Sequence, residues 1–261
     1  MSRIELLVAA VGQDGLTLPS KMNIETDAII VNQCGRYDYS EHTHNGCKIK
    51  VFDCNEKGVG LSRNTALLRT DHELMQFCDE DIVLNDGYSG KVEAEFDAHP
   101  EADIIMFNVK AAPGRETYNN TEFGRVTRLN YGRYPAYAII GRTKILHEKG
   151  VTFSLLFGGG AKYSNGEDSL FLHDCLNKKI KIYKSPISIG HEVSERPSTW
   201  FEGFNEKFFY DRGVLYRYLY GPLAGLMGFR FLYKNRKTMC REIPLKKAYA
   251  LLKQGIKDRE M

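Results

Sequence analysis

The chain has 261 residues, 43% of them hydrophobic and 26% charged, with 36 Lys+Arg against 33 Asp+Glu. This is ordinary globular composition and excludes global disorder and collagen-like repeats. The length suits one large α/β domain or one domain with an appendage. No run of eighteen apolar residues exists, so no transmembrane helix is expected. Met1-Ser2-Arg3 runs straight into a strand-like stretch without a signal-peptide core, and six cysteines without a CxxC pair read as reduced thiols. Both features predict a cytoplasmic protein. Charge is uneven: residues 1–195 carry 22 Lys+Arg and 27 Asp+Glu, whereas residues 196–261 carry 14 and 6. The basic tail points to an anionic surface or ligand, or to a solvated pair of basic helices.

Ile4–Val11 (IELLVAAV) is apolar on both faces, as a central parallel strand is. A glycine-rich turn follows, then strands at Ala28–Val31 and Ile49–Phe52. Gly58–Asn64 opens a helix through Leu68, with Ser62 expected as its N-cap. His72–Cys78 reads as a strand ending in Asp79-Glu80-Asp81. A helix around Gly87–His99 leads to a buried strand at Asp103–Val109. This alternation predicts an α/β fold with a mainly parallel sheet. Residues 111–132 form a loop or hairpin insertion. Tyr137–Gly141 is strand-like, Thr143–Lys149 helical, and a helix from about Glu167 to Asn177 follows Gly158-Gly159-Gly160. Ile180–Tyr183 and Pro186–Ile189 are short strands ending at His191. Ser198–Met261 is helical, aromatic and basic.

Two acidic motifs carry chemistry. Asp79 and Asp81 are two residues apart at a strand end, so an extended backbone aims both at one place. Ligands of open α/β sheets bind at such ends, and carboxylates suit Mg2+ or Mn2+ held with a diphosphate. Gly166-Glu167-Asp168 begins a helix, where acids complement the helix dipole and a carboxylate can act as a general base. Each motif taken alone is more often a solvated acidic turn or an ordinary helix start.

Their order is more informative. Gly58–Ala66 (GVGLSRNTA), Phe77–Asp81 (FCDED), Gly166–Leu172 (GEDSLFL) and Ser198-Thr199-Trp200 after His191 together resemble the family 2 glycosyltransferases of the GT-A fold. The resemblance covers about residues 4–200 and is nearest to bacterial enzymes of capsular and other surface polysaccharides. It implies an inverting transfer from a nucleotide-diphosphate sugar to a glycan or lipid-linked glycan. The fold implied is a Rossmann-like sheet flanked by helices, with residues 1–110 binding nucleotide sugar and 111–200 binding acceptor. Residues 201–261 add a helical appendage. Asp168 becomes the base, with Glu167 shaping the site. Ala10, Gln33, Arg63, Asp79 and Glu80 fall at the nucleotide sugar, with Asp79 near the ribose. Asp81 becomes a metal ligand for Mn2+ or Mg2+, with His191 a further ligand or a hydrogen-bonded loop residue. Trp200 becomes the acceptor wall. Ala9–Gln13 and Asn32-Gln33-Cys34-Gly35 depart from the family's usual Pro-Val-Tyr-Asn and Asp-Gly-Ser segments, so Gln33 is read as a substitute contact.

Two rivals remain open: a sugar-phosphate nucleotidyltransferase, disfavoured because Gly12–Gly15 is short and lacks a base, and a non-catalytic scaffold on a degenerate transferase fold. His42, His44, Cys47, Cys54 and Cys34 form a minor zinc candidate. Gly221–Lys237 joins aromatics to bases, either as an interfacial segment at the inner membrane face or as a helix packed on the body. Nucleic acid is disfavoured by the acidic body.

Overall fold

The computed structural model describes residues 2–193 and 203–258. Its strands are β1 (Ile4–Val11), β2 (Asp27–Gln33), β3 (Asp38–His44), β4 (Cys47–Cys54), β5 (Leu74–Asp79), β6 (Ile82–Leu84), β7 (Ile104–Lys110), β8 (Gly124–Arg125), β9 (Ile139–Arg142) and β10 (Ile182–Glu192). Nine lie in the order β3-β4-β2-β1-β5-β9-β7-β10-β6, and β8 pairs with β10. β1, β2, β4 and β5 are mutually parallel; antiparallel β9 then reverses direction before β7 and β10 run parallel again. The helices are α1 (Leu18–Lys21), α2 (Val59–Leu67), α3 (Tyr88–Ala98), α4 (Thr143–Lys149), α5 (Glu167–Asn177), α6 (Glu206–Tyr220), α7 (Ala224–Met239) and α8 (Leu245–Lys257).

The two-faced apolarity of β1 is explained by its place at the middle of the sheet. Ile4, Leu6, Val8 and Ala10 pack on one side with Tyr88, Val92 and Phe96 of α3. Leu7 faces the other side with Phe77, Phe153 and Phe171. Covering both faces is what a parallel sheet requires.

Several expectations change. β3 and β4 form a hairpin around Asn45-Gly46, both at positive φ (49° and 81°), a turn that matches the twist of antiparallel strands. α2 begins one turn earlier than expected, with Gly58 as N-cap, and Ser62 lies inside it. The two short strands before His191 are one strand, β10, whose register shifts between Lys184 and Ser188. Pro186 sits in that irregularity, where the missing N–H removes no regular ladder bond. The six cysteines are free, and His44 lies opposite Cys47 across the hairpin. The zinc set around His42, His44 and the cysteines does not converge among the described residues.

α6, α7 and α8 pack on one another through Phe209, Leu232, Ala248 and Leu252. They dock on the sheet-bearing body through Val214, Leu215 and Tyr216 against Phe157 and Tyr163. No described helix is long and apolar enough to cross a membrane.

Candidate active site

The site is built around one buried cation. Arg63, on α2, is 4% exposed, and its guanidinium meets three carboxylates. Nη2 donates to Asp79 Oδ1 at 2.8 Å, and Nη1 donates to Asp168 Oδ1 at 3.0 Å and to Glu167 Oε1 at 3.4 Å. Asp79 comes from the carboxyl end of β5, and Glu167 and Asp168 from the first turn of α5. Motifs 88 residues apart in sequence therefore share one fork. Arg63 also lies 5.2 Å from the Phe153 ring centroid, over a floor of Phe77, Phe153 and Phe171. Weak hydration and a planar fork make Arg suited to such a place.

Local chain features set the positions. Gly58 N–H donates to Gln33 Oε1 at 2.8 Å, and Gln33 Nε2 donates to Ser62 Oγ at 2.9 Å, which fastens the start of α2 to the end of β2. Asn64 Nδ2 donates to the Phe153 carbonyl at 2.9 Å, and Phe153 N–H returns a bond to Asn64 Oδ1 at 2.7 Å. Gly166, at φ 113°, precedes α5, and a Cβ there would stand 2.5 Å from Leu215 Cδ2 of α6. Gly158 is also at positive φ, and a Cβ there would fall 2.8 Å from Glu167 Cδ. Both positions therefore require glycine.

The electrostatics follow from enclosure. Burial alone would depress the Arg63 guanidinium, but Asp79, Asp168 and Glu167 more than offset this and hold it above its ordinary value. Desolvation, then repulsion from Glu167, pushes Asp168 up to about 8, against the pull of Arg63. Asp81 keeps solvent-exposed surface, yet desolvation of its carboxyl, then Asp79 and Glu192, pushes it up to about 6. A base poised near neutrality suits proton transfer. An acid raised by desolvation and by neighbouring carboxylates suits a cation.

Placement differs from expectation at several residues. Arg63 does not present an open fork to a nucleotide; both Nη atoms are taken by carboxylates, so it positions the acids. Ala10 is 1% exposed and its side chain packs in the core under the cleft. Gln33 is spent on α2. Glu80 Oε2 accepts the Val11 N–H at 2.6 Å, tying the end of β1 to the turn after β5. Asp81 sits in that turn, and its carbonyl accepts Val193 N–H at 2.8 Å. His191 is exposed on β10 opposite Val83, and Glu192 opposes Ile82. Asp79, Asp81 and His191 do not gather as a three-ligand group among the described residues. The carboxylates that act on Asp81 are Asp79 and Glu192, oxygen donors of the kind a divalent cation takes. Ser198, Thr199 and Trp200 lie outside the described residues.

Neither Asp53 nor its pairing with Asn32 is legible in the sequence. Asn32 Nδ2 donates to Asp53 Oδ1 and to the Gln13 carbonyl, each at 2.8 Å, and Arg36 Nε donates to Asp53 Oδ2 at 2.7 Å. The polar side chains at the ends of β2 and β4 are thus satisfied within the chain. An open hollow of about 470 Å3 lies beside them, walled by Tyr37, Phe52, Leu61, Thr65 and Arg69.

Similar architecture recurs in Staphylococcus aureus TarS. Its residues 1–349, crystallised with UDP-GlcNAc, superpose with a TM-score of 0.65 at 18% identity, over 93% of this chain and 74% of that one. The UDP complex gives 0.62 over the same shares. The chain has the GT-A fold. Full TarS matches with a TM-score of 0.64 over 99% of this chain and 50% of TarS. No family model and no curated protein matches the sequence.

Proposed function

We propose that this GT-A protein is an inverting glycosyltransferase. It moves a sugar from a nucleotide-diphosphate sugar to a hydroxyl of a glycan or lipid-linked glycan in cell-surface polysaccharide synthesis. The observation that carries the reading is the convergence of Asp79, Glu167 and Asp168 on buried Arg63 at the carboxyl ends of the parallel strands. The TarS complexes with UDP-GlcNAc and UDP support a nucleotide-sugar donor at such a fold.

The chemistry assigns roles to this chain's own groups. Asp168 accepts the acceptor hydroxyl proton while Arg63 holds its Oδ1. The acceptor oxygen bonds to the anomeric carbon as the bond to the diphosphate oxygen breaks, and that oxygen keeps the electron pair. The transition state is oxocarbenium-like and needs no enzyme nucleophile. Glu167 fixes the near side of the fork, and Asp79 borders the ribose end. Asp81, with Asp79 or His191, would hold Mn2+ or Mg2+, which offsets charge on the leaving diphosphate when bound.

Residues 1–110 are assigned to the nucleotide sugar and 111–200 to the acceptor, with Trp200 as an acceptor wall. On the helical appendage, Leu223, Leu226, Phe229 and Tyr233 are exposed beside Arg230, Lys234 and Lys237. This favours a cytoplasmic enzyme that touches the inner membrane face, where lipid-linked acceptors reside.

The test is nucleotide release from UDP-, GDP- and dTDP-sugars with Mn2+. One donor class should be turned over, and Asp168→Asn should lower kcat by about 10^2-fold or more. Equal release by wild type and Asp168→Asn would remove Asp168 as the base.

A further inference from the structure

A second polar cluster lies at the opposite end of β1. Glu5 is fully buried, and Lys50 Nζ holds its Oε1 at 3.1 Å. Glu5 Oε2 has no hydrogen-bond partner. It points at His72 Nδ1, 3.4 Å away, a nitrogen that is likewise without a partner. Asp71 Oδ1 lies 3.5 Å from the same nitrogen. The ligand atoms of Glu5, Asp71 and His72 fall within 4.8 Å of one another, the one such group among the described residues.

The outer contacts orient the ring. Asp27 Oδ2 lies 3.3 Å from His72 Nε2, and Asp27 Oδ1 accepts the Lys48 N–H at 2.8 Å. A carboxylate on Nε2 keeps the proton there and leaves the Nδ1 lone pair for a metal, the usual support of a ligating histidine. The carboxylates of Glu5, Asp27 and Asp71 gather around the His72 ring, and Lys50 pairs with only Glu5 among them. Geometry agrees as well. Donors at about 2.0–2.1 Å around tetrahedral zinc stand about 3.3–3.5 Å apart, and the separations from His72 Nδ1 are 3.4 and 3.5 Å. Asp71 is 90% exposed and borders a hollow of about 610 Å3 that gives the ion a way in and leaves a position for water.

We propose that Glu5, Asp71 and His72 form a zinc site, with Asp27 orienting His72. One imidazole and two carboxylates suit zinc better than Mg2+, which prefers an all-oxygen octahedron. The ion fastens the start of β1 to the turn that enters β5. Four residues of strand, about 13 Å, separate Glu5 from Ala9 beside Asp79. The site is therefore distinct from the candidate catalytic cleft and holds whether or not that cleft transfers sugars.

The test titrates metal-free protein with ZnCl2 at pH 7.5 by calorimetry and thermal unfolding. Wild type and Asp81→Ala should each bind one zinc at this site and gain about 5 °C or more in Tm at saturation. Asp27→Asn should weaken binding about 10-fold or more, and His72→Ala should abolish it. Asp71→Ala, at an exposed position, should also weaken it and keeps the test alive if His72→Ala does not fold. Zinc binding that Asp71→Ala and Asp27→Asn leave unchanged overturns the proposal. So does an absence of zinc binding by wild type; a doubly protonated His72 ring by NMR would then make the cluster an imidazolium held between Glu5 and Asp27.

Discussion

Arg63 and Asp168 oppose each other's needs. Arg63 is buried because three carboxylates surround it, and Asp168 is hard to ionise because it is enclosed beside Glu167. Removing the cation leaves those acids uncompensated. Arg63→Met should cost about 3–5 kcal/mol of stability, as loss of one partner of a buried pair does, measured by urea unfolding. Arg63→Lys should recover only part of this, because an ammonium cannot span the fork. Asp168 shows the reverse sign. Its folded pKa, about 8, lies above the unfolded value, so the folded state binds the extra proton between about pH 4 and pH 8. Stability conferred by that proton is present at low pH and lost as pH rises through about 8. Asp168→Asn should therefore raise Tm by about 2 °C or more at pH 8.5 and change it least near pH 4, while turnover collapses. In wild type, kcat/KM should climb as pH passes through about 8, since the base works only when ionised. A flat profile from pH 6 to 9 would contradict that role.

At the scale of elements, the base is positioned by a contact between the body and the appendage. Gly166 lets α6 bring Leu215 against the start of α5, so α5 and α6 are mechanically joined at Asp168. Gly166→Ala must both adopt a left-handed backbone and displace Leu215. It should cost about 1–3 kcal/mol and reduce kcat more than it raises KM for the donor, read by steady-state kinetics. The elements also show what the sequence made legible. β1 and α5 match their expected bounds because one is uniformly apolar and the other has an acidic first turn and apolar periodicity. The β3–β4 hairpin carries the turn signal Asn45-Gly46, but Asp38–His44 is polar and largely exposed and has no apolar alternation that marks a strand. Ser62 is not the N-cap because Gln33, at the end of β2, accepts the Gly58 N–H and fixes the helix start one turn earlier. The acids of the site were visible as motifs. Their convergence on Arg63, the Asn64–Phe153 clamp and the Asn32–Asp53 pair arise from residues distant in sequence, which no local pattern encodes.

Across the whole molecule, strands of one direction gather Gln13, Gln33, Asp53 and Asp79 at one end of the sheet, and α5 closes over that end with the proposed base. The opposite end of β1 carries the Glu5–His72 cluster, so the two polar centres of the body sit at opposite ends of its central strand. The C-terminal helices cover Phe157 and Tyr163, both 2% exposed. A chain ending at residue 203 would expose them together with the Gly166 turn. It should aggregate or lose activity, checked by size-exclusion chromatography and donor turnover. The most direct test of the account is calorimetric titration with UDP, GDP and dTDP, each with and without Mn2+, on wild type and Asp81→Ala. The account predicts that one nucleotide binds with Mn2+ and that Asp81→Ala loses this metal-dependent binding. No binding of any nucleotide under either condition would contradict the transferase reading and leave a GT-A fold without its donor.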